Sequence, residues 1–116
     1  MGVARPRLFL RDQLAVPTEV SCGAGRAFVF TCPSPERESP QGNEDGALAL
    51  HLDGERGLLA VADGVGGGPG GGDAAAAALT TLAEQVVTGV ERGDELRVAV
   101  LDGIERAQER VRGLGG

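Results

Sequence analysis

With 116 residues and a net charge of −6, the chain has the length of one small domain and the wrong charge balance for a general nucleic-acid surface. Three phenylalanines and no Trp or Tyr leave Leu, Val and Ala to build the core. All basic residues are Arg, which excludes a lysine-dependent phosphate loop and, with the Ala and Gly excess, suggests GC-rich coding and a bacterial source. No basic leader precedes an apolar segment, and no apolar run approaches membrane-spanning length. The expectation is a cytoplasmic protein with neither membrane nor nucleic acid as a partner.

In chain order, residues 1–40 carry little pattern. Leu8-Phe9-Leu10 and Arg26 to Thr31 read as short strands, and Pro33 to Gln41 as a polar connector punctuated by proline. Cys22 and Cys32 are too far apart for a CxxC pair, and no Cys/His cluster completes a metal set. Ser21, Ser34 and Ser39 lie in no nucleophile elbow, and His51 is a lone strand histidine expected to pack or face solvent.

Two apolar strands are predicted over Ala47 to Leu52 and Leu58 to Ala62. Asp53-Gly54 and Gly57 between them would supply positive φ for a hairpin. Their near-continuous Leu/Val/Ala character predicts burial on both faces. Asp73 is placed to cap a helix over Ala74 to Val90, with Leu79, Leu82, Val86 and Val90 as its buried stripe. A second helix, Asp94 to Arg112, would bury Leu101, Ile104, Ala107 and Val111. Gly89 and Gly93 mark the break that makes the two antiparallel.

The chemistry concentrates around the strand pair. Asn43-Glu44-Asp45 precedes the first strand, and the second ends in Val61-Ala62-Asp63-Gly64-Val65-Gly66-Gly67 before a glycine tract and the Asp73 helix. In an antiparallel hairpin the residue before one strand and the residue after the other lie at the same end, so the Asp45 and Asp63 carboxylates can converge. Such an oxygen environment suits Mg2+ or Mn2+.

This order of motifs, from Gln41 to about Val87, resembles the start of the metal-dependent (PPM, or type 2C) serine/threonine protein phosphatases, whose pattern is an NED-type motif, a VADGMGG-type motif and a small-residue helix start. The resemblance implies that Asp45 binds one metal, that Asp63 bridges two and that the Gly64 carbonyl is a further ligand. It also implies that Glu44 orients coordinated water from outside the ligand set. The implied reaction is hydrolysis of phosphoserine or phosphothreonine in a phosphoprotein by in-line attack of water, without a phosphoenzyme. It identifies no substrate-binding residue, because the family's phosphate-binding arginine falls at Pro40.

The resulting expectation is an α/β fold of the α+β type: a partial PPM-like β-sandwich, with a hairpin packed against an antiparallel helix pair. Residues 1–40 form a poorly defined N-terminal segment and connector, and 41–116 the N-terminal portion of the phosphatase domain. The family's later metal-binding aspartates have no counterpart after Arg112, and Asp102-Gly103 falls within a predicted helix. The chain is therefore expected to be a truncated or split domain without turnover, lacking its second sandwich layer and dependent on a complementing segment or on self-association. Two alternatives stand beside it: a noncatalytic fragment that binds a protein partner, and a dinucleotide-binding module using Gly66, Gly68 and Gly71 as GxGxxG.

Overall fold

Alternating apolar residues in β4 (Gly46–His51) set the architecture, since Leu48 and Leu50 point to one face and Ala47 and Ala49 to the other, and all but the half-buried Ala47 are buried. The computed structural model describes residues 4–10, 14–31, 45–63 and 71–114. Within these, β4 is the centre of an antiparallel sheet, between β1 (Arg5–Leu10) and β5 (Gly57–Ala62). A second sheet is the hairpin of β2 (Leu14–Cys22) and β3 (Gly25–Thr31). Two helices follow, α1 (Gly71–Glu91) and α2 (Leu96–Leu114). The described chain is thus α+β, with five antiparallel strands in two sheets and two packed helices.

On one face of β4, Leu48 and Leu50 join Leu79, Leu82 and Val86 of α1 and Ala99 of α2 in the main core. Full burial of each of these leucines contributes roughly 1.5–3 kcal/mol. On the other face Ala49 meets Phe9 of β1 and Val20 of β2, and this smaller cluster joins the sheets. The β2–β3 hairpin therefore forms a second layer on this face, where none is expected from the sequence. The paired strand β1 also ties the N-terminal segment into the β4–β5 sheet.

Burial on both faces holds for β4 and not for β5. Leu59 and Val61 are 59% and 86% exposed. The two strands are similarly apolar, but β5 is an edge strand that the second sheet meets only at its start, where Gly57 packs on Cys22 and Gly23.

Neither Gly54 nor Gly57 of the β4–β5 turn has a positive φ; among the described glycines only Gly23 and Gly93 have it. Instead Asp53 Oδ1 accepts from the backbone N–H groups of Glu55 and Arg56, and Asp53 Oδ2 accepts from Arg56 Nε, all at 2.8 Å. These bonds, the Glu55 N–H foremost, lower the Asp53 pKa to about 2.

Gly89 is no break either. It lies inside α1, where a Cβ would stand 2.9 Å from Ala99 Cβ, and Gly103 of α2 packs as closely on Leu82. Rising numbers in one helix meet falling numbers in the other, so the pair is antiparallel. The helix stops at Gly93 (φ 98°), where Gly93 N–H donates to Val90 O and Asp94 N–H to Gly89 O, a left-handed glycine cap. The buried stripe of α2 is Ala99, Gly103 and Ala107, not the larger residues: Leu101 and Ile104 are more than half exposed. Only small side chains fit where two helix backbones come this close.

Candidate metal centre

The β4–β5 register fixes where the two aspartates fall. Gly46 is paired with Ala62, so Asp45 and Asp63 are the next residues outward at the same end of the sheet. Continued by one step, such a ladder holds Cβ atoms about 5 Å apart. By alternation both lie on the face of Ala47 and Val61, away from Leu48 and the helices. Both are exposed, which leaves room for water or an ion beside the carboxylates.

That face opens into a cleft of about 410 Å3 between the sheets, lined by Phe9, Val29, Phe30, Ala47 and Val61 with Asp45 and Asp63 on its rim. The walls come from β1, β3, β4 and β5, so the segment before Asp45 helps shape the site. The sequence gives no sign of that wall beyond the alternation in Arg26 to Thr31, since the β2–β3 hairpin reaches the site only through tertiary packing.

The opposite end of the sheets is closed. Gly23 N–H donates to His51 Nδ1 at 3.1 Å, which gives the lone strand histidine the role of accepting a bond between the sheets. Beside it the Cys22 thiol contacts the Leu50 and Leu58 carbonyls at 3.7 and 3.8 Å. The two sheets are therefore joined at the His51 end and separated at the aspartate end.

Two hard oxygen donors on one face fit a divalent cation as part of a ligand set. Among the described residues no three His, Cys, Asp or Glu side chains gather around one point. Glu44, Gly64 and the glycine loop with Gly66, Gly68 and Gly71 lie outside the described residues, as do Cys32 and the connector from Pro33 to Gln41. Asp73 is in the first turn of α1 rather than before it, where its carboxylate still favours the helix N-terminus. Asp102 and Gly103 lie within α2.

Comparison with protein-family models, with curated proteins and with solved structures finds no match to this chain. Among the described residues no helix is long and apolar enough to cross a membrane.

Proposed function

We propose that this chain carries the first half of a metal-dependent phosphatase site of the PPM type, with Asp45 and Asp63 as ligands to Mg2+ or Mn2+. The observation that carries the reading is the register of β4 and β5, which brings these two motif aspartates to one end and one face of a sheet, at the rim of an inter-sheet cleft. In this reading Gly64 contributes its carbonyl and Glu44 positions coordinated water. Divalent ions in such a site activate water and neutralise charge at phosphorus. The substrate class is phosphoserine or phosphothreonine in protein, and turnover requires additional ligands beyond these.

The GxGxxG alternative is less well supported. The dinucleotide pattern belongs to a parallel βαβ unit, whereas β4 and β5 pair antiparallel and α1 leads directly to α2. A protein-binding fragment draws support from the exposure of Phe28 and Phe30 on β3.

Titration calorimetry with Mn2+ tests the proposal. Asp63→Asn is expected to weaken binding at least about tenfold, in line with loss of a direct carboxylate ligand. Asp53→Asn, in the turn at the other end of the hairpin, is expected to leave it unchanged. Equal effects of the two substitutions, or no binding by the unaltered chain, would sink the reading.

A further inference from the structure

We infer that His51 is a proton-sensitive clasp between the two sheets, closed while its imidazole is neutral and released when Nδ1 takes up a proton from solvent. This goes beyond the phosphatase reading and does not rest on it. The Gly23 N–H donates to His51 Nδ1 at 3.1 Å and so ties the β2–β3 turn to the end of β4. The bond requires the tautomer that carries its proton on Nε2, because only an unprotonated ring nitrogen accepts. His51 is the chain's single histidine, so the one side-chain type that ordinarily changes charge between about pH 5 and 8 stands at this junction and nowhere else.

The packing leaves the bond no substitute. A Cβ at Gly23, whose φ is 61°, would stand 2.9 Å from the Arg56 carbonyl carbon, and one at Gly57 would stand 2.5 Å from Cys22 Sγ, so the turn is seated directly on backbone. A protonated Nδ1 would set N–H against N–H across this seat, and a ring flip would set C–H there and leave the Gly23 N–H without its acceptor. Either way the turn must lift. The other ties described between the sheets are the long thiol contacts of Cys22 with the Leu50 and Leu58 carbonyls and the small cluster of Phe9, Val20 and Ala49, neither of which offers the turn an acceptor for that N–H.

The charged surroundings add to the effect. Arg5 of β1 is the register partner of His51, so an imidazolium would oppose a like charge. Arg7, two residues on, lies over the Phe9 ring. In the β4–β5 turn Asp53 is held by Arg56, with the exposed Glu55 between them, and on the hairpin Glu19 is paired with Arg26. Cys22 is the titratable group beside the turn, Gly57 of β5 brings no charge, and the helices pack on the other face against Leu48 and Leu50. From the clasped turn β3 continues to Val29 and Phe30 in the wall of the aspartate cleft, so release at the His51 end loosens that wall.

Nuclear magnetic resonance of the full chain without metal, from about pH 7.5 to about 5, tests this. Protection of the Gly23 amide from hydrogen exchange, corrected for the intrinsic rate, is expected to fall by up to about tenfold per pH unit in that range. The Val86 amide in α1 should keep its protection, which marks release of the hairpin rather than unfolding of the domain. His51→Asn places an acceptor oxygen near the position of Nδ1 and takes up no proton in this range, so its Gly23 protection is expected to stay level. If His51→Asn does not fold, the unaltered chain decides alone, because the imidazole resonances and the Gly23 amide shift must then change with one midpoint. Gly23 protection that stays level while His51 titrates, that falls equally in His51→Asn, or that falls together with that of Val86 would overturn the proposal, as would two separate midpoints.

Discussion

A Cβ at Gly57 would lie 2.5 Å from Cys22 Sγ and 2.8 Å from Gly23 N, so the start of β5 and the β2–β3 turn touch with no space for a side chain between them. Gly57→Ala must push the hairpin turn away and disturb the neighbouring bond from Gly23 to His51. The expected loss is about 1–3 kcal/mol, the usual range for overpacking. Gly54 has nothing within 4 Å and no positive φ, so Gly54→Ala should be neutral or stabilise by up to about 1 kcal/mol. Urea unfolding of both variants checks the contrast, and equal midpoints would show that the turns do not dock.

The close approach of α1 and α2 makes a second, opposed prediction. Replacing a helical glycine with alanine ordinarily stabilises by about 1 kcal/mol. At Gly89 the new methyl would meet Ala99 Cβ at 2.9 Å, and an alanine has no rotamer with which to give way. Gly89→Ala is therefore expected to destabilise by about 1 kcal/mol or more despite its better propensity. Leu101→Glu, on the exposed side of α2, should change stability by no more than about 0.5 kcal/mol. A large loss from Leu101→Glu with a gain from Gly89→Ala would reverse the buried and exposed sides of α2.

Asp53 gives the pH dependence. Its folded pKa is about 2, below the ordinary aspartate value of 3.8, because the Glu55 N–H foremost, the Arg56 guanidinium and the Arg56 N–H favour the carboxylate. A depressed folded pKa means that the stabilisation is complete above the unfolded pKa and is lost as pH falls through the folded one. The contribution of Asp53 should thus be constant from neutral pH to about 4 and fade towards about 2. Asp53→Ala should lower stability at neutral pH and flatten this part of the acid limb, measured by urea midpoints at stepped pH. An unchanged slope in that window would mean that the turn bonds do not hold the carboxylate.

Much of this arrangement was legible in the sequence because it is local. The apolar runs after Asp45 and before Asp63 identify β4 and β5, and helical spacing of Leu79, Leu82 and Val86 identifies the buried side of α1. Relations set by tertiary packing were not. Leu59 and Val61 look as buried as Leu48 and Leu50 until β5 is known to be an edge. Hydrophobicity favours Leu101 and Ile104 as the inner side of α2, yet two helices meeting at Gly89 and Gly103 bury Ala99 and Gly103 beside the expected Ala107. The cleft wall at Phe9, Val29 and Phe30 likewise depends on how the second sheet crosses the first, which no short-range pattern encodes.

The aspartate pair itself yields the last prediction. A ligand that binds only the folded chain stabilises it by mass action, by about 2.7 kcal/mol at one hundred times its dissociation constant. For a domain of about 100 residues this raises the thermal midpoint by roughly 10–20 °C. Mn2+ should produce a shift of this size and NAD none, since the two carboxylates at the cleft rim attract a cation and repel a pyrophosphate. Asp45→Asn and Asp63→Asn should each remove most of the Mn2+ shift, read against each variant's own metal-free midpoint. Thermal scans with and without each ligand separate the readings. A midpoint raised by NAD alone would place binding at the glycine loop, and a Mn2+ shift that survives both substitutions would move the metal away from these aspartates.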